Sequence, residues 1–242
     1  MSALSEAKSV LVIGAHAADF VWRAAGALAV ASSRGAKAKV VALSYGERGE
    51  SGELWKVEGQ TIENVKRIRH EQGEQAAAAV GAEFIALDLG DYPLEVGRES
   101  LEQLGQIVRD MEPDVLITHT LLDPVNPDHP VACHAAGAAR QLAAGAGVAS
   151  AFKVIKPPAL YYFEPHQPEL SGFIPNTFLD ITDVYPMKQK AMEAMASQAY
   201  LVEYYAELAT RRANHARRAS GNKSIRYAEA YQRIDPAVVD QL

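Results

Sequence analysis

Ser9 to Ala15 reads Ser-Val-Leu-Val-Ile-Gly-Ala, apolar and β-branched at most positions and closing on small residues. A strand of that kind has no polar side to turn to water, so it belongs in a parallel sheet covered on both faces. A parallel neighbour needs a crossover, and the chain supplies one. An Ala-rich helical stretch runs from Asp19 to Ser33 and stops at Gly35, before a second strand from Ala38 to Ser44. Such crossovers are right-handed in nearly every known case. This unit commits the start of the chain to an α/β architecture.

The same grammar repeats. A long helix from Thr61 to Val80 ends at Gly81, and Glu83 to Leu87 forms a third strand. A helix from Ser100 to Met111 follows, then a fourth strand, Asp114 to His119, entered through Pro113. After the proline-punctuated loop Leu121 to Pro130 comes a helix from Pro130 to Ala144. Alternation over the first 145 or so residues predicts a doubly wound sheet, whose ligands bind at the carboxyl ends of its strands. Beyond Gly147 the pattern changes to a strand from Pro157 to Phe163, a loop Glu-Pro-His-Gln-Pro-Glu and a short strand from Thr177 to Ile181. A long helix then runs from about Pro186 to Arg218, with a polar remainder. The apolar stripe of that helix is equally read as core or as subunit contact. The expected fold is therefore α/β: a mostly parallel sheet with helices on both faces, in one domain of residues 1–242. Residues 1–147 form its core, and 148–242 complete the cleft and supply oligomer contacts.

Hydrophobic residues make up 48% of the chain and charged residues 22%, as in an ordinary soluble globular protein. The formal net charge of −6 argues against nucleic-acid and polybasic membrane partners, but arginines gathered in one cleft still suit a small anion. The single cysteine, Cys133, excludes an intrachain disulfide. The first apolar run has no basic segment before it and is too short to span a bilayer, so it reads as a buried strand and the location as cytoplasmic.

Two polar clusters fall at carboxyl ends of expected strands: Ala-His-Ala-Ala-Asp from Ala15 to Asp19, and Asn-Pro-Asp-His from Asn126 to His129. Two imidazoles and a carboxylate (His16, His129 and Asp19) make a suitable catalytic zinc shell with a position left for water or substrate. Asp128 would orient a ligand imidazole from behind. The plainer alternatives are a packing histidine after a buried strand and Asp19 as a helix N-cap. His119 reads equally as a site contact or as packing, and His70, His134 and His215 as helix residues without chemistry.

These motifs, with the Gly46-Glu47-Arg48-Gly49 turn and the Arg69-x-Glu71 helix, resemble the LmbE/PIG-L family over about the first 145 residues. The family comprises zinc-dependent de-N-acetylases on a Rossmann-like fold, and the resemblance makes His16, Asp19 and His129 the zinc ligands. Two departures stand out. The family's general-base aspartate falls at Ala18, and the first histidine of its second motif falls at Asn126. Alanine cannot take a proton from water, whereas an amide can still donate a hydrogen bond.

A narrower resemblance accounts for this. The strings AHAADFVWRAAGALA, LSYGERGESGELW, LLDPVNPDHP and YYFEPHQPE are similar to those of a hydratase branch of the fold, the 4-oxalomesaconate hydratases of gallate and protocatechuate degradation. The resemblance implies zinc-dependent addition of water to a conjugated tricarboxylate, giving 4-carboxy-4-hydroxy-2-oxoadipate, by a homo-oligomer. Proton transfer then falls to Glu47 or His166, with Glu50 and Glu164 as lesser alternatives. Carboxylate binding falls to Arg23 and Arg48, with Asn126 and Tyr45 beside them; Arg69, Arg212 and Arg226 are less constrained. Tyr92 would shape the pocket, and Trp22 reads first as core packing and second as pocket wall. The competing readings are a de-N-acetylase using another base such as Glu47, and a non-catalytic ligand-binding domain. The latter lacks the Gly-x-Gly-x-x-Gly that a dinucleotide site needs after the first strand.

Overall fold

The computed structural model describes residues 3–236 and 238. Its strands are β1 (Ser9–Gly14), β2 (Lys37–Ala42), β3 (Glu83–Ala86), β4 (Val115–Thr118), β5 (Ala159–Phe163), β6 (Thr177–Asp180) and β7 (Ala228–Arg233). They form one sheet in the order β3-β2-β1-β4-β5-β7-β6. The pairings from β3 to β5 are parallel, whereas β7 lies antiparallel to both β5 and β6. The mostly parallel α/β sheet expected from the sequence is thus present, and strands from beyond residue 147 extend it.

Period-two alternation divides each central strand between two cores. On one face Val10, Val12, Val115 and Ile117 pack against α2 (Asp19–Arg23), α3 (Ala25–Ser33), α4 (Ile62–Ala79), α7 (Tyr185–Ala194) and α8 (Val202–Ser220). On the other Leu11, Ile13, Val41 and Leu116 meet α5 (Arg98–Met111) and α6 (Asp128–Ala144). A short α1 (Ala3–Glu6) precedes β1. All six residues of β1 are buried, as its composition requires. The order of strands reverses between β1 and β4, which opens a crevice at their carboxyl ends.

Three local expectations are corrected. The helix read from Asp19 to Ser33 is broken at Ala24, whose φ of −141° is not helical. The helix read from Pro186 to Arg218 is interrupted by a 3₁₀ segment, Ala196–Leu201, in which Gln198 is non-helical. There the Arg69 guanidinium donates to Ser197 Oγ and Gln198 Oε1, each at 2.9 Å, and ties the segment to α4. The polar remainder contains β7, which sequence polarity concealed because its buried Glu229 is neutralised by Lys188 at 2.6 Å.

Candidate metal centre and adjoining pocket

The chain leaves β1 at Gly14, where an added Cβ would lie 3.1 Å from Asp19 Cβ, so glycine keeps the return tight. The His16 N–H donates to Asp19 Oδ2 at 2.7 Å, closing a turn that brings both side chains to the end of the strand. Asp19 is the first residue of α2, and its side chain does not cap that helix. Its Oδ1 accepts from Arg23 one turn on, at 2.5 Å. After β4, the loop carrying Asp123 and Asn126 runs into α6, which begins at Asp128 and presents His129 in its first turn.

The four donors His16, Asp19, Glu50 and His129 offer ligand atoms that all lie within 4.8 Å of one another. His16 Nδ1 is 3.2 Å from Glu50 Oε1 and 3.5 Å from Asp19 Oδ2, while His129 Nε2 is 3.5 Å from Asp19 Oδ1. Both nitrogens are buried and make no hydrogen bond. The far side of each ring is held: His16 Nε2 lies 3.2 Å from Asp128 Oδ2, and His129 Nδ1 lies 2.8 Å from Asp123 Oδ2. A carboxylate behind each imidazole fixes the tautomer and aims the lone pair inward. Two inward imidazole nitrogens facing two carboxylates fit a divalent cation such as zinc.

The charge balance agrees. Burial alone would strip protons from His16, yet the facing Glu50 and the flanking Asp128 and Asp19 raise its pKa well above the ordinary value. Burial likewise disfavours charge on His129, but Asp19 and Asp123 lift it to about 9. Glu50 is half-buried; desolvation would raise its pKa, yet His16 holds it well below the usual carboxylate range. The cluster is a well of negative potential in which a cation and protons compete for the same imidazole lone pairs. His119, by contrast, is driven down to about 3 by burial and by neighbouring His129, on whose ring it stacks at 4.0 Å. It contacts the site as a neutral group, 3.0 Å from Asp19 Oδ2.

A cavity of about 280 Å³ opens beside the cluster, lined by Arg23, Glu50, Asn126 and His129, by His166, and by Gln198, Tyr200 and Tyr205. That is the size of a small-molecule site. Residues from the loop after β5 and from the α7–α8 connection close it, so the C-terminal part completes the cleft as expected. Arg23, Asn126 and His166 therefore meet His16, Asp19 and His129 in one place. Asp128 lies behind His16, bonded also to the backbone N–H groups of Tyr92 and Leu94.

Glu47, Arg48 and Tyr45 do not line this cavity. The Glu47 carboxylate turns to the backbone N–H of Tyr45 and towards Lys66, 3.7 Å away. Arg48 is exposed and points to the Asp91 carbonyl, and the Tyr45 ring packs edge-on against His70. The cause is the turn itself. Gly46 has φ of 70°, and the Asp91 carboxylate takes the N–H groups of Arg48 and Gly49, so the chain reverses and Glu50 enters the cavity. Gly49 is required because an added Cβ would lie 2.2 Å from the Tyr92 ring.

Sequence reasoning missed Asp123 and Gln198, and ranked Glu50 below Glu47. Asp123 stands six residues before His129 in a short loop, a spacing that invites a carboxylate–imidazole pair; Gln198 offered no signal. Arg69 is fully buried outside the cavity and bonds the Tyr45 carbonyl, with Nη2 4.0 Å from Glu50. Arg212 is committed to Glu164, and Arg226 is exposed.

Comparison with known proteins agrees with this geometry. The family model described as PIG-L, GlcNAc-PI de-N-acetylase, matches residues 11–140. The 4-oxalmesaconate hydratase of Pseudomonas putida KT2440 is 43% identical over 238 residues, covering 97% of this chain and 92% of its own. The crystal structure of GalB, the 4-carboxy-2-hydroxymuconate hydratase from the same strain, superposes with a TM-score of 0.94 at 43% identity, covering 97% of this chain and 99% of that one. N,N'-diacetylchitobiose deacetylase from Pyrococcus horikoshii shares the fold, with a TM-score of 0.76 at 21% identity over 95% of this chain and 84% of that one.

Proposed function

This chain belongs to the GlcNAc-PI de-N-acetylase (PIG-L) family, and we propose that it works there as a hydro-lyase. It adds water reversibly across the conjugated double bond of 4-oxalomesaconate, giving 4-carboxy-4-hydroxy-2-oxoadipate. The observation that carries this reading is Ala18. A fully buried methyl group stands between the two β1-loop ligands, where the deacetylases place their aspartate base. Glu47, the substitute base a deacetylase reading would use, faces away from the cavity.

Bound zinc, held by His16, Asp19 and His129 with Glu50 adjoining, would act as a Lewis acid towards a carbonyl or carboxylate oxygen of the substrate. The rest of the chemistry falls to side chains around the cavity. Arg23 is the cation of its wall, and the part of its guanidinium not bound to Asp19 receives a substrate carboxylate. Asn126 donates to Glu50 Oε1 at 3.2 Å and holds it in the cavity wall. His166 rests on the Tyr204 ring, with centroids 4.5 Å apart. Burial, followed by the charge of Arg23, lowers its pKa, so it is neutral near pH 7.

Of the two proton-transfer candidates, His166 then takes a proton from the attacking water as the new carbon–oxygen bond forms. The alkene electron pair moves towards the conjugated carbonyl, and the adjacent carbon takes up a proton, so that H and OH end on neighbouring carbons. Glu50, held ionised, accepts a hydrogen bond from the water and keeps it turned to the alkene. A tricarboxylate as partner follows from this chemistry.

The same reading includes a cytoplasmic location and a homo-oligomer. In support, Cys133 is a free thiol, and no helix among the described residues is long and apolar enough to cross a membrane. Exposed Leu121, Leu122 and Val125 flank Asp123 in its loop. The test of function is a paired assay of the purified zinc-loaded protein. Loss of the conjugated absorbance of 4-oxalomesaconate, without acetate release from N-acetylglucosamine derivatives, is expected. Acetate release with the enoate untouched would restore the deacetylase reading.

A further inference from the structure

The junction of α2 and α3 is a break bridged locally only by backbone, the Ala24 N–H donating to the Phe20 carbonyl at 2.8 Å and the Leu28 N–H to the Ala24 carbonyl at 3.1 Å. Ala24 is non-helical, and the first turn of α3 has no side-chain cap of its own. Its open groups are taken by three buried side chains from the other end of the chain. Glu229 accepts from the Gly26 N–H through Oε1 and from the Ala27 N–H through Oε2, both at 2.9 Å. Lys188 Nζ donates to the Trp22 carbonyl at 2.9 Å and to Glu229 Oε1 at 2.6 Å. The Tyr231 hydroxyl donates to Glu229 Oε2 and lies 3.4 Å from the Arg23 carbonyl. Gly26 admits the carboxylate, since an added Cβ would sit 2.7 Å from Glu229 Cδ.

Burying a carboxylate and an ammonium is costly unless every donor and acceptor is matched, and apolar packing often gives equal stability. What apolar residues cannot give is direction. The trio grips the backbone of Trp22 and Arg23 on one side of the break and of Gly26 and Ala27 on the other. It thereby fixes the last turn of a five-residue helix that has Asp19 at its start and Arg23 at its end. We propose that Glu229, together with Lys188 and Tyr231, is a positioning residue for Arg23, setting where the guanidinium meets a substrate carboxylate. This rests on the proposed role of Arg23 in substrate binding.

The test compares Glu229→Gln, Tyr231→Phe and Arg23→Lys in the zinc-replete enzyme. Steady-state kinetics, zinc per chain and thermal stability are read together. Glutamine preserves volume but sets an NH₂ against a backbone N–H, whereas phenylalanine removes one donor and leaves the Glu229–Lys188 pair. Displacing a binding group by a fraction of an ångström predicts a KM rise on the order of tenfold for Glu229→Gln, with kcat per bound zinc changed by less than about threefold. Tyr231→Phe gives a smaller rise in the same direction, and it decides the matter should Glu229→Gln fail to fold. A merely structural role would lower the folded fraction and hence Vmax, with KM unchanged; that result overturns the inference. If Arg23→Lys raises KM while Glu229→Gln and Tyr231→Phe do not, the positioning role alone is wrong. If Arg23→Lys also leaves KM unchanged, the assigned role of Arg23 falls and the inference with it.

Discussion

Asp123 makes the sharpest demand on the proposed metal centre. His129 turns Nε2 into the cluster because Nδ1 is held 2.8 Å from Asp123 Oδ2, and the other carboxylate oxygen accepts from the N–H groups of Val125 and Asn126 at 3.1 and 3.3 Å. Three donors thus converge on a side chain that only accepts. In Asp123→Asn one oxygen becomes an NH₂, so either His129 loses its acceptor or the loop loses both backbone bonds. Both residues are buried, and a stranded donor there costs about 1–3 kcal/mol. Weakening the partner behind a ligand imidazole typically lowers metal affinity by about 10–100-fold. At about 1.4 kcal/mol per decade that is roughly 1.4–2.8 kcal/mol, in agreement with the desolvation figure. The assay is zinc competition against a chromophoric chelator, with circular dichroism and thermal melting of the apo-protein to establish that the fold is kept. A folded Asp123→Asn variant that binds zinc with unaltered affinity would refute the assignment of His129 Nε2 as a ligand.

Three further outcomes follow from the placement of side chains. Glu50→Gln should lower kcat on the order of a hundredfold or more, whereas Glu47→Gln should stay within a few-fold, because only Glu50 faces the cavity. The reverse ranking in steady-state assays would mean that Glu47, not Glu50, meets the reacting water. The lowered pKa of His166 keeps it deprotonated at neutral pH, and a proton acceptor works only in that form. Activity should therefore rise with pH through an inflection below the ordinary histidine value of 6.5, and His166→Asn should abolish that limb of the kcat/KM profile. A limb that instead falls as pH rises through this region would make His166 the proton donor. Asp128→Asn should weaken zinc binding much as Asp123→Asn does, since its two oxygens also meet three donors; metal titration checks this.

How much of this was legible depended on where each determinant lies in the chain. The central strand was readable because its burial on both faces is written into seven consecutive residues, and the places of His16 and Asp19 just beyond its end followed from it, as that of His129 followed from the loop after β4. The break between α2 and α3 was not, because the groups that close it, Lys188, Glu229 and Tyr231, lie more than 160 residues away in sequence. The interruption before α8 is hidden for the same reason, being held by Arg69 from α4. Strand β7 escaped notice because a charged residue is buried in it together with its counter-ion. In the Gly46–Glu50 turn, the sequence marks the segment but not which of its glutamates faces the cavity. Which carboxylate faces the cavity is set by Asp91, whose backbone contacts fall some forty residues on.

The central claim is that a divalent cation on His16, Asp19 and His129 works with this pocket to add water to a conjugated tricarboxylate. It is tested most directly by following the absorbance of 4-oxalomesaconate with chelator-dialysed protein, the same protein titrated with zinc, and a His129→Ala variant. The account predicts no turnover after dialysis, recovery that saturates near one zinc per chain, and no recovery in the variant. Full turnover by the metal-free protein, or by His129→Ala at wild-type rate, would contradict it.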